Sequence, residues 1–226
     1  MHEKVFDLQS IQEKSARNLL DEIIKCLERS VKTKDEVKIV AMLSSISKKK
    51  NNYTPQKPNV PQKEQSLIKA LNLISDKSLI ELKNSIFPAI NHLRWAIDDG
   101  LFYEKNSEIG TEYLNGNMHT EIIGPENGIF KHGDLRLGLF LLEANIFYKD
   151  HMHEAPELYF NLSNGTSWRF GIKKWIQKEA GSIVYNKPFE HHAMYVGDSP
   201  FLSVWCWPYS SSKKCVLVPV KVVQKS

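Results

Sequence analysis

Tyr148-Lys149-Asp150-His151-Met152-His153-Glu154-Ala155-Pro156-Glu157-Leu158-Tyr159 sets the reading of this chain. On a β-strand, side chains at i and i+2 share a face, so His151 and His153 can reach one ion. Glu157 and Tyr159 keep the same odd parity and return to that face if a strand resumes after Ala155-Pro156. Neutral imidazole with carboxylate suits Zn, Fe, Mn, Co or Ni, and an incomplete shell leaves a position for substrate. A lone His-x-His is a weak signal. The carboxylate, the tyrosine and a second pair downstream, His191-His192, strengthen it into a metal site.

Around this stretch the pattern is that of strands. Glycines at 110, 116, 124, 128, 133 and 138 punctuate short segments after Gly100. Leu135, Leu137, Leu139 and Leu141 alternate with Arg136, Gly138, Phe140 and Leu142, as in a strand buried on both faces. Further strands are expected over 157–162, 167–172, 175–178, 182–185, 191–195, 201–207 and 216–223, with a turn at Ser163-Asn164-Gly165. Many short strands between turns argue for a sandwich or small barrel.

The first half reads differently. Leu8, Ile11, Leu19, Leu20, Ile23, Ile24 and Leu27 recur at spacings of three and four, and Val37, Ile39, Val40, Leu43 and Ile46 continue the pattern after Thr33-Lys34-Asp35-Glu36, a capping sequence. Residues 48–63 carry Pro55, Pro58 and Pro61 and read as a connector. Helical periodicity returns at 64–74 and from Ser78 to about Asp98, where Pro88 should end or kink it. The expected organisation is a mostly helical segment, 1–124, packed on a β-barrel with the metal site, 125–226. The fold class is α+β, mainly β.

Composition agrees with a globular protein: of 226 residues, 42% are apolar and 25% charged, and the net charge is +4. The lysines fall in short clusters rather than a long basic stripe, so no nucleic-acid partner is expected. Three cysteines without CxxC spacing fit a reducing compartment. No stretch approaches the roughly 18 apolar residues of a membrane span, and the first residues are polar where a signal peptide is apolar. The expectation is a cytoplasmic protein without a membrane partner. The helical half can pack on the barrel or on a second copy, as in a homodimer.

His-x-His-x3-Glu with another His about 35 residues on resembles the double-stranded β-helix of the cupin superfamily, although Asn145 stands where its first-motif glycine would be. More specifically, Tyr148-x2-His151-x-His153-x3-Glu157-x-Tyr159 resembles, at every named position, the signature of the cupin-type dimethylsulfoniopropionate (DMSP) lyases of marine bacteria, the Ddd-type enzymes. Those enzymes place a cupin barrel after a helical part. The resemblance implies one divalent metal held by His151, His153, Glu157 and His191, the last chosen over His192 by family spacing. It implies Tyr159 as base and Tyr148 as a substrate-contacting or auxiliary tyrosine. The implied reaction is β-elimination of a sulfonium carboxylate to dimethyl sulfide and acrylate.

That chemistry makes physical sense. A proton alpha to a carboxylate is very weakly acidic, and a divalent ion on the carboxylate offsets the charge that develops as it leaves. A nearby cation also favours phenolate, which tyrosine otherwise reaches only near pH 10. The sulfonium cannot donate ordinary hydrogen bonds, but aromatic faces can hold it. Trp205 and Trp207 share a strand face and are the first candidates, with Tyr195 a further one. The alternatives are another cupin enzyme, such as an Fe-dependent dioxygenase or an isomerase, and a non-catalytic metal- or small-molecule-binding cupin.

Overall fold

The computed structural model describes residues 2–49, 51–163 and 165–219, with side chains from Leu8 onward. Helices α1 (His2–Ser30), α2 (Lys34–Ser47), α3 (Glu64–Leu73) and α4 (Ile80–Ala89) come first. Strand β1 (Trp95–Ala96), helix α5 (Thr111–Gly116) and strands β2 (Asn117–Gly124) and β3 (Phe130–Lys131) follow. Next are β4 (Arg136–Leu142), β5 (Phe147–Met152), β6 (Glu157–Asn161), β7 (Thr166–Phe170) and β8 (Ile176–Lys178). The chain ends, within the described residues, with β9 (Ile183–Asn186), β10 (His192–Val196), β11 (Phe201–Trp207) and β12 (Val216–Leu217).

The strands form two sheets, one ordered β1-β2-β4-β11-β6-β9, with β3 against β2, and the other β12-β5-β10-β7-β8. Within the set from β4 to β11, β4, β6, β9 and β11 lie in the first sheet and β5, β7, β8 and β10 in the second. Both orders interleave early with late strands, and all these pairings are antiparallel. That topology is a double-stranded β-helix, a closed answer to the problem of exposed sheet edges.

The first sheet is two-faced by strand periodicity. Leu137, Leu139 and Leu141 of β4, Leu158 and Phe160 of β6, and Leu202, Val204 and Cys206 of β11 share one core with the helices. From α1 and α2 that core receives Leu19, Leu20, Ile23, Leu27, Val40 and Leu43, among others. The alternate residues, Phe140, Leu142, Tyr159, Phe201, Trp205 and Trp207, form a second core inside the barrel. The all-apolar look of β4 is thereby explained: both of its faces are covered.

Helix boundaries have local causes. Thr33 caps α2, its hydroxyl accepting from Glu36 N while the Glu36 carboxylate accepts from Thr33 N, a reciprocal capping box. Pro88 stands one residue before the end of α4. The helix expected as far as Asp98 therefore stops early, and Trp95–Ala96 pairs with β2 instead. Val37 carries the apolar pattern of α2 but faces solvent. The proline-rich connector is strapped down rather than loose. Tyr53 bridges Phe130, Thr54 N donates to Ile129 O, and Gln12 donates to Gln56 O.

The expected division at 124/125 falls at the end of β2. β1 and β2 precede it and belong to the first sheet, and one continuous core joins that sheet to the helices. Of the expected strand 216–223 only Val216–Leu217 pairs, as β12; residues 218 and 219 are not strand, and 220–223 lie outside the described residues. Gly138 shows why glycine stands mid-strand: a Cβ there would sit 1.6 Å from Thr120 O, where β2 bulges between Glu121 and Ile123. No helix among the described residues is long and apolar enough to cross a membrane.

Candidate metal centre and aromatic cavity

His151 lies on β5, His153 just beyond it, Glu157 opens β6, and His192 opens β10. His192 is the cross-strand partner of His151, which puts both on one face of the second sheet. One ligand atom from each of the four residues can be chosen so that all lie within 4.8 Å of one another, and all four residues are buried. The Nε2 atoms of His153 and His192 are 3.3 and 3.4 Å from Glu157 Oε2.

The donor set passes a chemical test for a divalent ion. Each imidazole Nδ1 faces a backbone carbonyl: His151 to Lys149 O at 2.7 Å, His153 to Ala155 O at 2.7 Å, and His192 to Glu190 O at 2.8 Å. That arrangement puts the proton on Nδ1 and turns the Nε2 lone pairs inward, the outer-shell pattern of metal-ligating histidines. His192 Nε2 is buried without a hydrogen-bond partner. Glu157 is aimed from the other side, by Trp207 Nε1 at 2.8 Å and Asn186 Nδ2 at 3.0 Å. Burial, reinforced by His192 and His153, holds His151 well below its ordinary value and therefore neutral. Burial pushes the Glu157 carboxyl up, but His153 and His192 outweigh it and bring it well below the usual range.

His191, expected as the fourth ligand, is exposed, and His192 takes its place. Neighbours on a strand face opposite ways, and the buried Met194 and Val196 mark the inward parity of β10 as even. Tyr195 falls on the other parity, 43% exposed beside the equally outward Phe147. It is not part of the cavity wall, so the expected substrate contact is not where the structure places it.

Tyr148, Tyr159, Trp205 and Trp207 do line one small cavity with Glu157. Tyr159 and Trp205 are cross-strand partners on β6 and β11. Tyr148 stacks on His151 with ring centroids 4.4 Å apart, and its hydroxyl meets that of Tyr103 at 2.5 Å. Burial, then the Glu157 carboxylate beside it, pushes the Tyr159 phenol well above its ordinary value.

Sequence reasoning missed the rest of the wall, notably Asp98, Phe102, Tyr113 and His119. His119 could have been found, because Asn117, His119 and Glu121 alternate with Met118, Thr120 and Ile122 along β2. Burial, then the Arg136 charge, lowers His119 to about 4, so its imidazole is neutral at pH 7. Asp98 and Phe102 lie in a loop with no periodicity to read.

A double-stranded β-helix with three histidines and a glutamate on its inner wall is a cupin-type barrel with a cluster that could hold a metal ion. The chain belongs to the DMSP lyase family, dimethylsulfoniopropionate lyase, whose sequence profile matches residues 31–203. Its fold is similar to a chain in the crystal structures of the DMSP lyases RdDddP and RnDddQII. The TM-score is 0.67 at 15% identity, covering 92% of this chain and 100% of that one. It is similar also to the DMSP lyase DddQ from Ruegeria pomeroyi DSS-3, with a TM-score of 0.66 at 18% identity, covering 92% and 98%. No curated protein matches the sequence.

Proposed function

We propose that the protein cleaves DMSP by β-elimination to dimethyl sulfide and acrylate, using a divalent first-row ion on His151, His153, Glu157 and His192. When bound, that ion supplies the positive charge that holds the substrate carboxylate and offsets the enolate-like charge of the transition state. Tyr159 takes the proton from the carbon alpha to the carboxylate. The electrons of that C–H bond form the new C=C bond as the C–S bond breaks, and the sulfide departs neutral. Without a compensating positive charge, burial and Glu157 would keep Tyr159 protonated, so its base role depends on the filled site. Tyr148, held by Tyr103 and stacked on His151, positions the carboxylate end. Phe102, Trp205 and Trp207, with centroids 5.6 to 5.9 Å apart, offer their faces to the sulfonium.

The observation that carries this reading is the position of Tyr159. It shares β6 and a cavity wall with the ligand Glu157, in a chain of the DMSP lyase family. The test is headspace detection of dimethyl sulfide from metal-loaded protein given DMSP, with Tyr159→Phe beside it. Gas from the wild type, and a turnover lower by about 10²–10⁴-fold in a variant that keeps its metal, is the expected result. No gas with any of Zn, Mn, Fe, Co or Ni overturns the reading. An unchanged rate in Tyr159→Phe removes it as the base.

A further inference from the structure

One wall of the cavity carries a carboxylate that the proton transfer does not need. Asp98 is 2% exposed and lines the same cavity as Trp205 and Trp207. Its Oδ2 accepts from the Tyr113 hydroxyl at 2.9 Å and its Oδ1 from Gly100 N at 3.0 Å; Phe102 N donates to it as well. Two of these neighbours are backbone N–H groups that can only donate, which suits an ionised carboxylate, while burial pushes the Asp98 carboxyl up from its ordinary value, the mark of a charge that is not offset. Asp98 forms no ion pair among the described residues. A buried anion without a cation is costly to keep, and a ligand that brings the cation offsets that cost.

The residue is also rigidly placed. Asp98 N donates to Asn117 Oδ1 at 2.7 Å, and Asn117 Nδ2 donates back to Asp98 O at 2.9 Å. Tyr113, which holds the carboxylate, stacks on Tyr148 with centroids 4.3 Å apart. The cavity thus has two chemically distinct parts, the ligand set of three histidines and a glutamate, and a carboxylate without an ion-pair partner among the described residues, in the same wall as the aromatic faces.

We propose that Asp98 is a specificity-determining residue, the counter-charge that selects carboxylates bearing an onium group, sulfonium or quaternary ammonium, over neutral ones of the same shape. This rests on the lyase reading for the identity of the substrate, but concerns binding alone. An onium ion has no N–H to donate. A fixed negative charge attracts it without a hydrogen bond, and the aromatic faces supply the contact.

Two isosteres that differ in charge test this by calorimetry on metal-loaded protein: 3-(trimethylammonio)propionate and 4,4-dimethylpentanoate. The wild type should bind the cationic one at least about tenfold more tightly, a preference of ~1.4 kcal/mol. Asp98→Asn should lose most of that preference by weakening the cationic ligand alone. Tyr113→Phe, which keeps the charge and removes one hydrogen bond, should retain it. Equal binding of the two by the wild type, or no binding of either, overturns the proposal without any variant. So does an Asp98→Asn protein that keeps the preference, or one that weakens both ligands alike, since either leaves Asp98 only a turn-forming role. A cation preference that Asp98→Asn abolishes, in a protein that releases no dimethyl sulfide, would support the Asp98 assignment and sink the lyase reading.

Discussion

The two faces of the first sheet are built from the same strands and have opposite chemistry. Toward the helices, β4, β6 and β11 present Leu137, Leu139, Leu141, Leu158, Phe160, Leu202, Val204 and Cys206. Toward the barrel interior the alternate positions are Phe140, Glu157, Tyr159, Trp205 and Trp207. The aliphatic face forms a dry core that needs only volume and apolarity. The barrel interior holds the groups that are expensive to bury, and each is oriented by a specific partner: Glu157 by Trp207 and Asn186, His153 by Ala155 O, Tyr148 by Tyr103. Stability and chemistry are therefore separated by a single residue step along each strand.

That separation can be broken most directly at the histidine pair. His192→Ala should abolish stoichiometric metal and activity, whereas His191→Ala, one residue away on the solvent face, should keep both. Metal content by elemental analysis decides, and the reverse outcome would invert the parity of β10. On the dry face, Leu202→Ala should cost ~2–5 kcal/mol in denaturant unfolding while leaving turnover per folded molecule unchanged. A large change in turnover there would mean that the two faces are coupled.

A smaller effect follows from His119, which the inner face keeps neutral by burial and by Arg136, with a value of about 4. The unfolded chain takes up its proton near pH 6.5 and the folded chain does not, so stability is lost as the pH falls from about 6.5 toward 4. His119→Gln should flatten that part of the Tm-against-pH curve, and identical curves would refute the assignment. The smallest effect is expected in the helical layer. Thr33→Ala removes the hydroxyl from the α2 capping box and should cost about 1 kcal/mol with no change in metal content.

Much of this molecule was readable from local patterns. The strands β4 to β11 were legible because turns and a period of two bound them, and α1 to α3 because their buried stripe repeats every three or four residues. His151, His153, Glu157, Tyr148 and Tyr159 were legible because they fall in one short stretch, where strand parity aligns the odd-numbered ones. His192 is legible by the same rule, because it shares its parity with the apolar Met194 and Val196. Trp207, a candidate substrate contact by strand parity, lines the cavity, and its N–H is engaged by Glu157, 50 residues away in sequence.

What the sequence by itself determined is therefore whatever depends on near neighbours: helix or strand, inward or outward, and a compact set of metal ligands. Asp98, Phe102, Tyr113 and the shared core of helices and sheet were decided only by tertiary structure. Loop residues have no period to betray their direction, and the pairing of β1 with β2 depends on chain closure between distant segments. Periodicity records which way a side chain points, but only packing determines what stands opposite it.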